Sequence, residues 1–146
     1  MDDAFILFVD DKPRNAELFT DALRSHGFSN VVIAVGDGVE ALDFLFCRGD
    51  YAGRDAGIVP RLILLDLNMP RMGGLETLRQ LRDDERTKLL PVVMLTSSNH
   101  PGDKTEAYRA GANGYVDLLS DVPFPEVVRR IADYWLEVNQ VAPPEP

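Results

Sequence analysis

Short apolar runs of β-forming residues alternate along this chain with segments of helical period, and this order limits the fold more than any other feature. The alternation is typical of βαβ units, whose strands lie parallel in one sheet. Because the runs are almost continuously apolar, they indicate strands covered by helices on both faces. We predict five strands, at residues 5–9, 31–35, 62–65, 92–95 and 115–116.

Between the runs, apolar residues recur three and four positions apart, as on the buried stripe of an amphipathic helix. This spacing predicts helices around residues 19–23, 41–46, 75–81, 104–110 and 127–136. We therefore expect one α/β domain over residues 1–138 and a Pro-rich tail over 139–146, which cannot continue the last helix. The Gly-containing segment 48–60 is predicted to be a long surface connection.

Net charge and cysteine content limit the classes of partner and the cellular compartment that we expect for this chain. The 146 residues carry a formal net charge of -9, which disfavours direct binding to nucleic-acid phosphates or to an anionic membrane surface. No apolar stretch approaches the roughly 20 residues that a membrane helix needs. Cys47 is the single cysteine, so an internal disulfide is excluded and we expect a cytoplasmic protein.

Three aspartates follow two of the predicted strands. Asp10 and Asp11 come directly after the first run, and Asp66 comes directly after the third. Ligands of doubly wound sheets bind beyond the carboxyl ends of the strands, and carboxylates crowded there call for a cation between them. Oxygen ligands without histidine or cysteine favour Mg²⁺. A single aspartate after a strand often only caps the next helix, but three at two strand ends favour the metal site.

Four motifs, in order along the chain, resemble those of response-regulator receiver domains of two-component signalling. The resemblance extends over residues 5–138 and implies the CheY-like, flavodoxin-like arrangement: a doubly wound five-stranded parallel sheet with strand order 2-1-3-4-5 and helices on both faces. It is nearest to the stand-alone receivers that are paired with bacterial phytochrome-type histidine kinases. The motifs are Phe8-Val9-Asp10-Asp11, Leu64-Leu65-Asp66-Leu67-Asn68-Met69-Pro70 with Gly73-Gly74, Met94-Leu95-Thr96-Ser97, and Ala110-Gly111-Ala112-Asn113-Gly114-Tyr115.

The resemblance implies phosphoryl transfer from a kinase phosphohistidine to Asp66. It also implies that Asp11, Asp66 and the backbone carbonyl of Asn68 hold Mg²⁺, with Asp10 acting through metal-bound water. Phosphoryl transfer needs positioning and charge neutralisation more than covalent help, which agrees with a cluster of carboxylates around a divalent ion.

By the same resemblance, Thr96 is the switch hydroxyl and Tyr115 is the aromatic switch, which turns inward and repacks the surface that partners contact. Some receivers of the phytochrome-linked group form dimers through C-terminal arms. The apolar end of the last helix and the tail are therefore candidates for a homodimer surface. No output segment follows the last helix, so we expect signalling by protein contact or onward phosphotransfer.

The sequence departs from the family pattern at the end of the fifth strand. Receivers carry a lysine there, followed by proline, and the corresponding positions are Leu118 and Leu119. Loss of a charge-assisted hydrogen bond of roughly 1.5–3 kcal/mol should weaken the phosphorylated state by about one to two powers of ten. A cis Leu118–Leu119 bond would cost about 3–4 kcal/mol, so the loop after this strand is expected to take another path. Lys12 is a candidate replacement cation, although a solvent-facing lysine fits its position better.

Two rival interpretations follow from these residues. In the first, the chain is a pseudo-receiver that docks a partner but does not switch, because Leu118 replaces the lysine. In the second, the chain is a Mg²⁺ phosphatase that uses an aspartyl phosphate. Such enzymes need an aspartate two residues after the nucleophile, whereas this chain has Asn68, so we expect a phosphoacceptor and not an enzyme.

Overall fold

The computed structural model describes residues 4–98 and 100–143, and within them the chain forms a parallel five-stranded sheet with order β2-β1-β3-β4-β5. Residues 1–3 of the predicted domain and 144–146 of the predicted tail lie outside the described residues. The predicted fold class and strand order are confirmed. The strands are β1 (Ile6–Val9), β2 (Val32–Val35), β3 (Leu62–Leu65), β4 (Val92–Thr96) and β5 (Gly114–Asp117).

The three central strands are buried along their whole length, because helices cover the sheet on both sides. The edge strands β2 and β5 are only partly buried, as their residues meet neighbours on one side. Alternate side chains of the same strand enter opposite cores. Leu7 and Ile63 lie in one core, and Phe8 and Leu64 lie in the other.

Helices α1 to α4 connect successive strands and α5 follows the last one, and the apolar stripes of these helices face the two cores. Helices α1 and α5 pack against each other on one face of the sheet, while α2, α3 and α4 contribute to the core on the other face. Proline begins α1, where its missing N–H costs no hydrogen bond. The helices are α1 (Pro13–Ser25), α2 (Gly38–Leu45), α3 (Gly74–Asp83), α4 (Asp103–Arg109) and α5 (Phe124–Ala132).

Two segments contain structure that the sequence pattern did not indicate. The connection 48–60 includes a short 3₁₀ turn, Gly49–Tyr51, and Arg54 fastens it by stacking 3.8 Å from the Phe44 ring centroid and donating to the Phe44 and Ile58 carbonyls. After α5 the chain continues as a π-helical turn, Asp133–Val138, in which the Asn139 N–H donates to the Tyr134 carbonyl at 2.6 Å.

The extended tail begins at Asn139, whose carbonyl accepts a hydrogen bond from Arg61 at 2.9 Å. The carbonyl contact ties the start of the tail to the residue preceding β3. Among the described residues, none of the helices has the length and the apolar character required to cross a bilayer.

The first residue of α3 lies against the end of β3, and this contact fixes where the helix begins. The Gly74 N–H donates to the Leu67 carbonyl at 2.9 Å, and a Cβ at Gly74 would stand 2.3 Å from the Asp66 carbonyl oxygen. Only a hydrogen atom fits this gap, so glycine lets the helix approach the residue that follows β3.

We expect Gly74→Ala to lower the free energy of unfolding by about 1–3 kcal/mol, because the backbone must move to make room for the methyl group. Gly53→Ala is the matched control: nothing lies within 4 Å of its added Cβ, and it should change stability by less than about 0.5 kcal/mol. Urea denaturation of both variants measures the difference. Equal stabilities of the two variants would contradict the close approach.

Candidate functional site

The structure brings Asp10, Asp11 and Asp66 together at the carboxyl edge of the sheet. β1 and β3 are neighbours in register, with Val9 beside Leu65, so the residues that follow them emerge at the same level. One carboxylate oxygen from each of the three aspartates lies within 4.8 Å of the others. The juxtaposition therefore follows from strand order and register.

Asp66 is half-buried, and its carboxyl group is affected by both burial and its neighbours. Burial raises the pKa of its carboxyl group, and the nearby negative charge of Asp10 raises it further. Hydrogen bonding from the Thr96 hydroxyl and from the backbone N–H groups of Leu67 and Asn68 opposes the increase. The Leu67 N–H lies 2.8 Å from Oδ1. The ionised carboxylate is thus held in place but costs the folded state free energy.

Asp10 is half-buried and held by two donors, whereas Asp11 is exposed. The backbone N–H of Lys12 donates to Asp10 Oδ1 at 2.8 Å, and the Asn15 side-chain amide donates to Oδ2 at 3.0 Å. Asn15 is a site residue that the sequence analysis missed. Its signal was present in the sequence as a polar residue in the first turn of α1, five positions after Asp10. The Lys12 residue itself is exposed.

The two predicted switch residues lie on β4 and β5 beside this cluster. Thr96 ends β4 and is 1% exposed, and its hydroxyl accepts the Ser98 N–H at 3.2 Å. Tyr115 is half-buried on β5. Burial raises the pKa of the Tyr115 phenol, with further contributions from the negative charges of Asp103, Asp117 and Asp66. The Lys104 ammonium lies 5.9 Å from the Tyr115 ring centroid.

The donor set of this cluster fits a hard divalent cation. It offers carboxylate oxygens without sulfur or imidazole, and Asp11 is exposed while Asp10 and Asp66 are only half-buried, which leaves room for water ligands. Asn68 is exposed in the loop that directly follows Asp66, so its backbone is next to the cluster in sequence.

Leu118 occupies the position of the lysine that receivers carry. Its side chain is partly buried against the apolar core that α1 and α5 cover. Its backbone N–H donates to the Thr96 carbonyl at 2.9 Å, which extends the β4–β5 pairing by one residue. The described residues contain no cis peptide bond, and the Asp117 side chain accepts the Leu119 N–H at 2.8 Å. A cavity of about 160 Å³ beside Leu118 is lined mainly by apolar side chains, with Asp10 and Asn15 among the lining residues.

The strand order, the acidic cluster and the adjacent buried threonine define a CheY-like α/β signalling domain. The sequence profile of the response regulator receiver domain matches residues 6–118, and the chain belongs to that family. The family assignment confirms the predicted resemblance.

Two curated relatives cover most of this chain. The probable methanogenesis regulatory protein FilR2 of Methanothrix harundinacea is 36% identical over 95% of this chain and 88% of its own length. The response regulator Rcp1 of Synechocystis is 32% identical over 90% of this chain and 88% of its own length. The similarity therefore extends over most of the length of both relatives.

Solved structures of similar proteins include phytochrome response regulators. The Mn²⁺-bound form of Rcp1 superimposes with a TM-score of 0.84 at 30% identity, covering 96% of this chain and 99% of that one. The phosphorylated cyanobacterial phytochrome response regulator RcpA gives a TM-score of 0.86 at 30% identity, with the same coverage. The bacteriophytochrome response regulator RtBRR gives 0.75 at 42% identity, covering 98% of this chain and 83% of that one. The chain is thus close to this group of receivers in sequence and structure.

The crowding of carboxylates leads to a stability prediction for Asp66→Asn in the absence of divalent ions. Because the pKa of folded Asp66 is raised, its ionised form costs stability at neutral pH, and the cost is relieved as the pH falls through the folded pKa. The isosteric amide removes that cost, and we expect the free energy of unfolding in EDTA to rise by about 1 kcal/mol.

Chemical denaturation at pH 7 measures this effect. Asp121→Asn, which neutralises an exposed aspartate in the loop before α5, is the control and should change stability by less than about 0.5 kcal/mol. A loss of stability in Asp66→Asn would show that the carboxylate is a net stabilising group, contrary to the charge-repulsion argument.

Proposed function

We propose that this receiver accepts a phosphoryl group from a histidine kinase on Asp66 in the presence of Mg²⁺, and that it signals by protein contact. The observation that carries the proposal is the convergence of three carboxylates within 4.8 Å around the enclosed Asp66. The phosphorylated RcpA and the Mn²⁺-bound Rcp1 structures support it, since both proteins are similar to this chain over nearly its whole length.

In the proposed transfer, the N–P bond of the kinase phosphohistidine breaks and its electron pair returns to the imidazole nitrogen. A new O–P bond forms at an Asp66 carboxylate oxygen. We propose that Asp10, Asp11, Asp66 and the Asn68 backbone carbonyl form the metal site, where a bound Mg²⁺ would neutralise the charge on the transferring group. The Leu67 N–H, which lies 2.8 Å from Oδ1, already orients the acceptor carboxylate.

Thr96 and Tyr115 are proposed to convert phosphorylation into a change of surface. The Thr96 hydroxyl is buried beside Asp66, where it can turn toward a phosphoryl oxygen. Tyr115 is next to β4 in the sheet, paired with Met94, and its half-buried ring can move into the space that Thr96 leaves. Movement of the Tyr115 ring between these two orientations would change the surface formed by α4, β5 and α5.

The kinase partner is proposed to be of the phytochrome type, and the compartment the cytoplasm of a bacterial cell. This assignment is supported by the similarity to RtBRR, Rcp1 and RcpA. The net charge of -9 argues against nucleic acid as the direct target.

The pseudo-receiver remains a second candidate because of Leu118. Its side chain packs with the α1–α5 core, so this position provides shape but no positive charge to a phosphoryl group. In this alternative the chain docks its partner without a stable phosphorylated state.

Labelling with a small phosphodonor such as phosphoramidate, followed by intact-protein mass measurement, separates the two candidates. We expect the unaltered protein to gain one phosphoryl group with Mg²⁺ and none with EDTA. Asp66→Asn should gain none, whereas the control Asp121→Asn should behave as the unaltered protein. Uptake by Asp66→Asn would exclude Asp66 as the acceptor, and no uptake by the unaltered protein would leave the pseudo-receiver.

In the same assay, Leu118→Lys should raise the phosphorylated fraction at limiting donor about tenfold, because an ammonium group adds a charge-assisted hydrogen bond to the phosphoryl oxygens. Leu118→Met is the matched control, since it conserves volume without charge and should leave the fraction unchanged. An unchanged fraction in Leu118→Lys would show that the missing cation does not limit this receiver.

We also propose that residues 1–138 form the receiver domain and that α5, with the tail 139–146, forms a homodimer surface. Apolar side chains are exposed at this end of the molecule: Tyr134 is 49%, Val138 63% and Val141 40% exposed. Val141 lines a groove together with Val59 and Leu89, which are also exposed. A second copy would cover this apolar surface.

Sedimentation of the unaltered protein at high micromolar concentration should show a dimer, and Val138→Asp combined with Val141→Asp should shift it to the monomer. Charges placed in a desolvated interface have no partners there. Tyr108→Lys on α4 is the control at an equally exposed apolar residue and should leave the dimer intact. A monomeric unaltered protein would refute the proposed dimer.

A further inference from the structure

An ion pair joins the start of α2 to the loop that follows Asp66. Arg71 donates from Nε to Asp37 Oδ2 at 2.7 Å and from Nη2 to Oδ1 at 3.0 Å, a bidentate geometry. The side chain of Asp37 is 10% exposed, whereas that of Arg71 is 60% exposed. Bidentate pairs of this kind fix the orientation of both planar groups as well as their distance.

Contacts other than the Arg71 pair also fix the position of Asp37. It is the N-cap of α2, and its Oδ1 accepts the Glu40 N–H at 2.9 Å. Burial opposes ionisation of this carboxyl group, but the Arg71 guanidinium and the backbone N–H groups outweigh burial and hold its pKa below the usual value. The carboxylate is therefore a fixed, charged anchor at the first turn of the helix.

The backbone of Arg71 has an unfavourable conformation that the ion pair with Asp37 helps to hold. Its φ of 63° is in the left-handed region, which costs a residue with a Cβ free energy unless surrounding contacts compensate. A second contact lies one residue later, where the Gly38 N–H donates to the Met72 carbonyl at 3.2 Å. A Cβ at Gly38 would stand 1.9 Å from Thr77 Oγ1, so α2 also packs closely on the first turn of α3.

We propose that the Arg71–Asp37 pair is a positioning device that holds the loop 67–73 in its metal-binding conformation before any ion arrives. The inference rests on the proposed function, because it assigns to this pair the placement of the Asn68 carbonyl as a Mg²⁺ ligand. Arg71 acts through the loop backbone and touches neither the metal nor the phosphoryl group. Without the pair, the loop relaxes from the left-handed turn, and ordering it becomes part of the cost of binding Mg²⁺.

The sign of the expected effect separates positioning from simple electrostatics. If only charge matters, removing a positive charge from this protein should strengthen the binding of a cation or leave it unchanged. Loss of a preset loop should weaken binding. We expect Arg71→Gln to weaken the Mg²⁺ affinity about tenfold, the lower end of the range for groups that orient a metal ligand.

Isothermal titration calorimetry with MgCl₂ measures the affinity, and hydrogen exchange in EDTA measures the loop without metal. Arg71→Gln should speed exchange at the amides of 67–73 while leaving the central strands protected. Arg71→Lys, which keeps the charge but lacks the planar fork, should recover part of the affinity. Asp37→Ser keeps a capping oxygen for the Glu40 N–H while removing the carboxylate, and it should speed exchange in the same loop.

Arg86→Gln is the matched control. Arg86 is as exposed as Arg71 and makes a bidentate pair with Asp84, at 3.0 and 2.8 Å, but that pair lies at the opposite end of α3. Its loss should change neither the Mg²⁺ affinity nor exchange in 67–73. Equal weakening by Arg86→Gln, or normal affinity in Arg71→Gln beside normal binding by the unaltered protein, would overturn the inference alone. Failure of the unaltered protein to bind Mg²⁺ would overturn the proposed function and this inference together.

Discussion

Repulsion among Asp10, Asp11 and Asp66 is the interaction on which the rest of this structure depends. The sheet places their carboxylates within 4.8 Å of one another, and Asp66 is partly removed from water. The arrangement persists because β1 and β3 are fully buried and paired in a fixed register, which fixes the positions of the residues that follow them. The hydrophobic cores on both faces of the sheet thus hold an electrostatic strain that the proposed divalent cation would relieve.

The apolar runs were sufficient to predict the strands and the parallel sheet, and the resemblance to receiver domains supplied the strand order that brings the three aspartates together. Strand positions follow from local composition, and the aspartates follow from strand positions because parallel strands share one carboxyl edge. Strand ends differ from the prediction by at most one residue, as in β5, which spans Gly114–Asp117 where 115–116 was predicted. Hydrogen bonding with β4 defines those ends, and hydropathy carries no information about it.

The contacts that refine the site could not be predicted, because they join residues far apart in sequence through side-chain geometry. The Arg71–Asp37 pair spans 34 positions, and nothing in either local pattern indicates the other partner. The contact of Asn15 with Asp10 could not be predicted either, because it depends on how α1 is rotated about its axis relative to Asp10. At Leu118 the sequence indicated a lost charge, and the structure adds that the side chain is part of the α1–α5 core. The same position therefore serves packing in this receiver, and the loop after β5 is fixed by Asp117 and by the Thr96 carbonyl.

The π-helical turn at Asp133–Val138 has a consequence for how the tail is directed. A π turn contains one residue more than an α-helical turn, and each residue of an α-helix rotates the chain by about 100°. Shortening this segment by one residue would therefore restore regular winding and swing everything beyond it to another side of the molecule, with the sheet unchanged. The direction of the C-terminal extension is thus set by the residue count of this one turn, independently of the sheet.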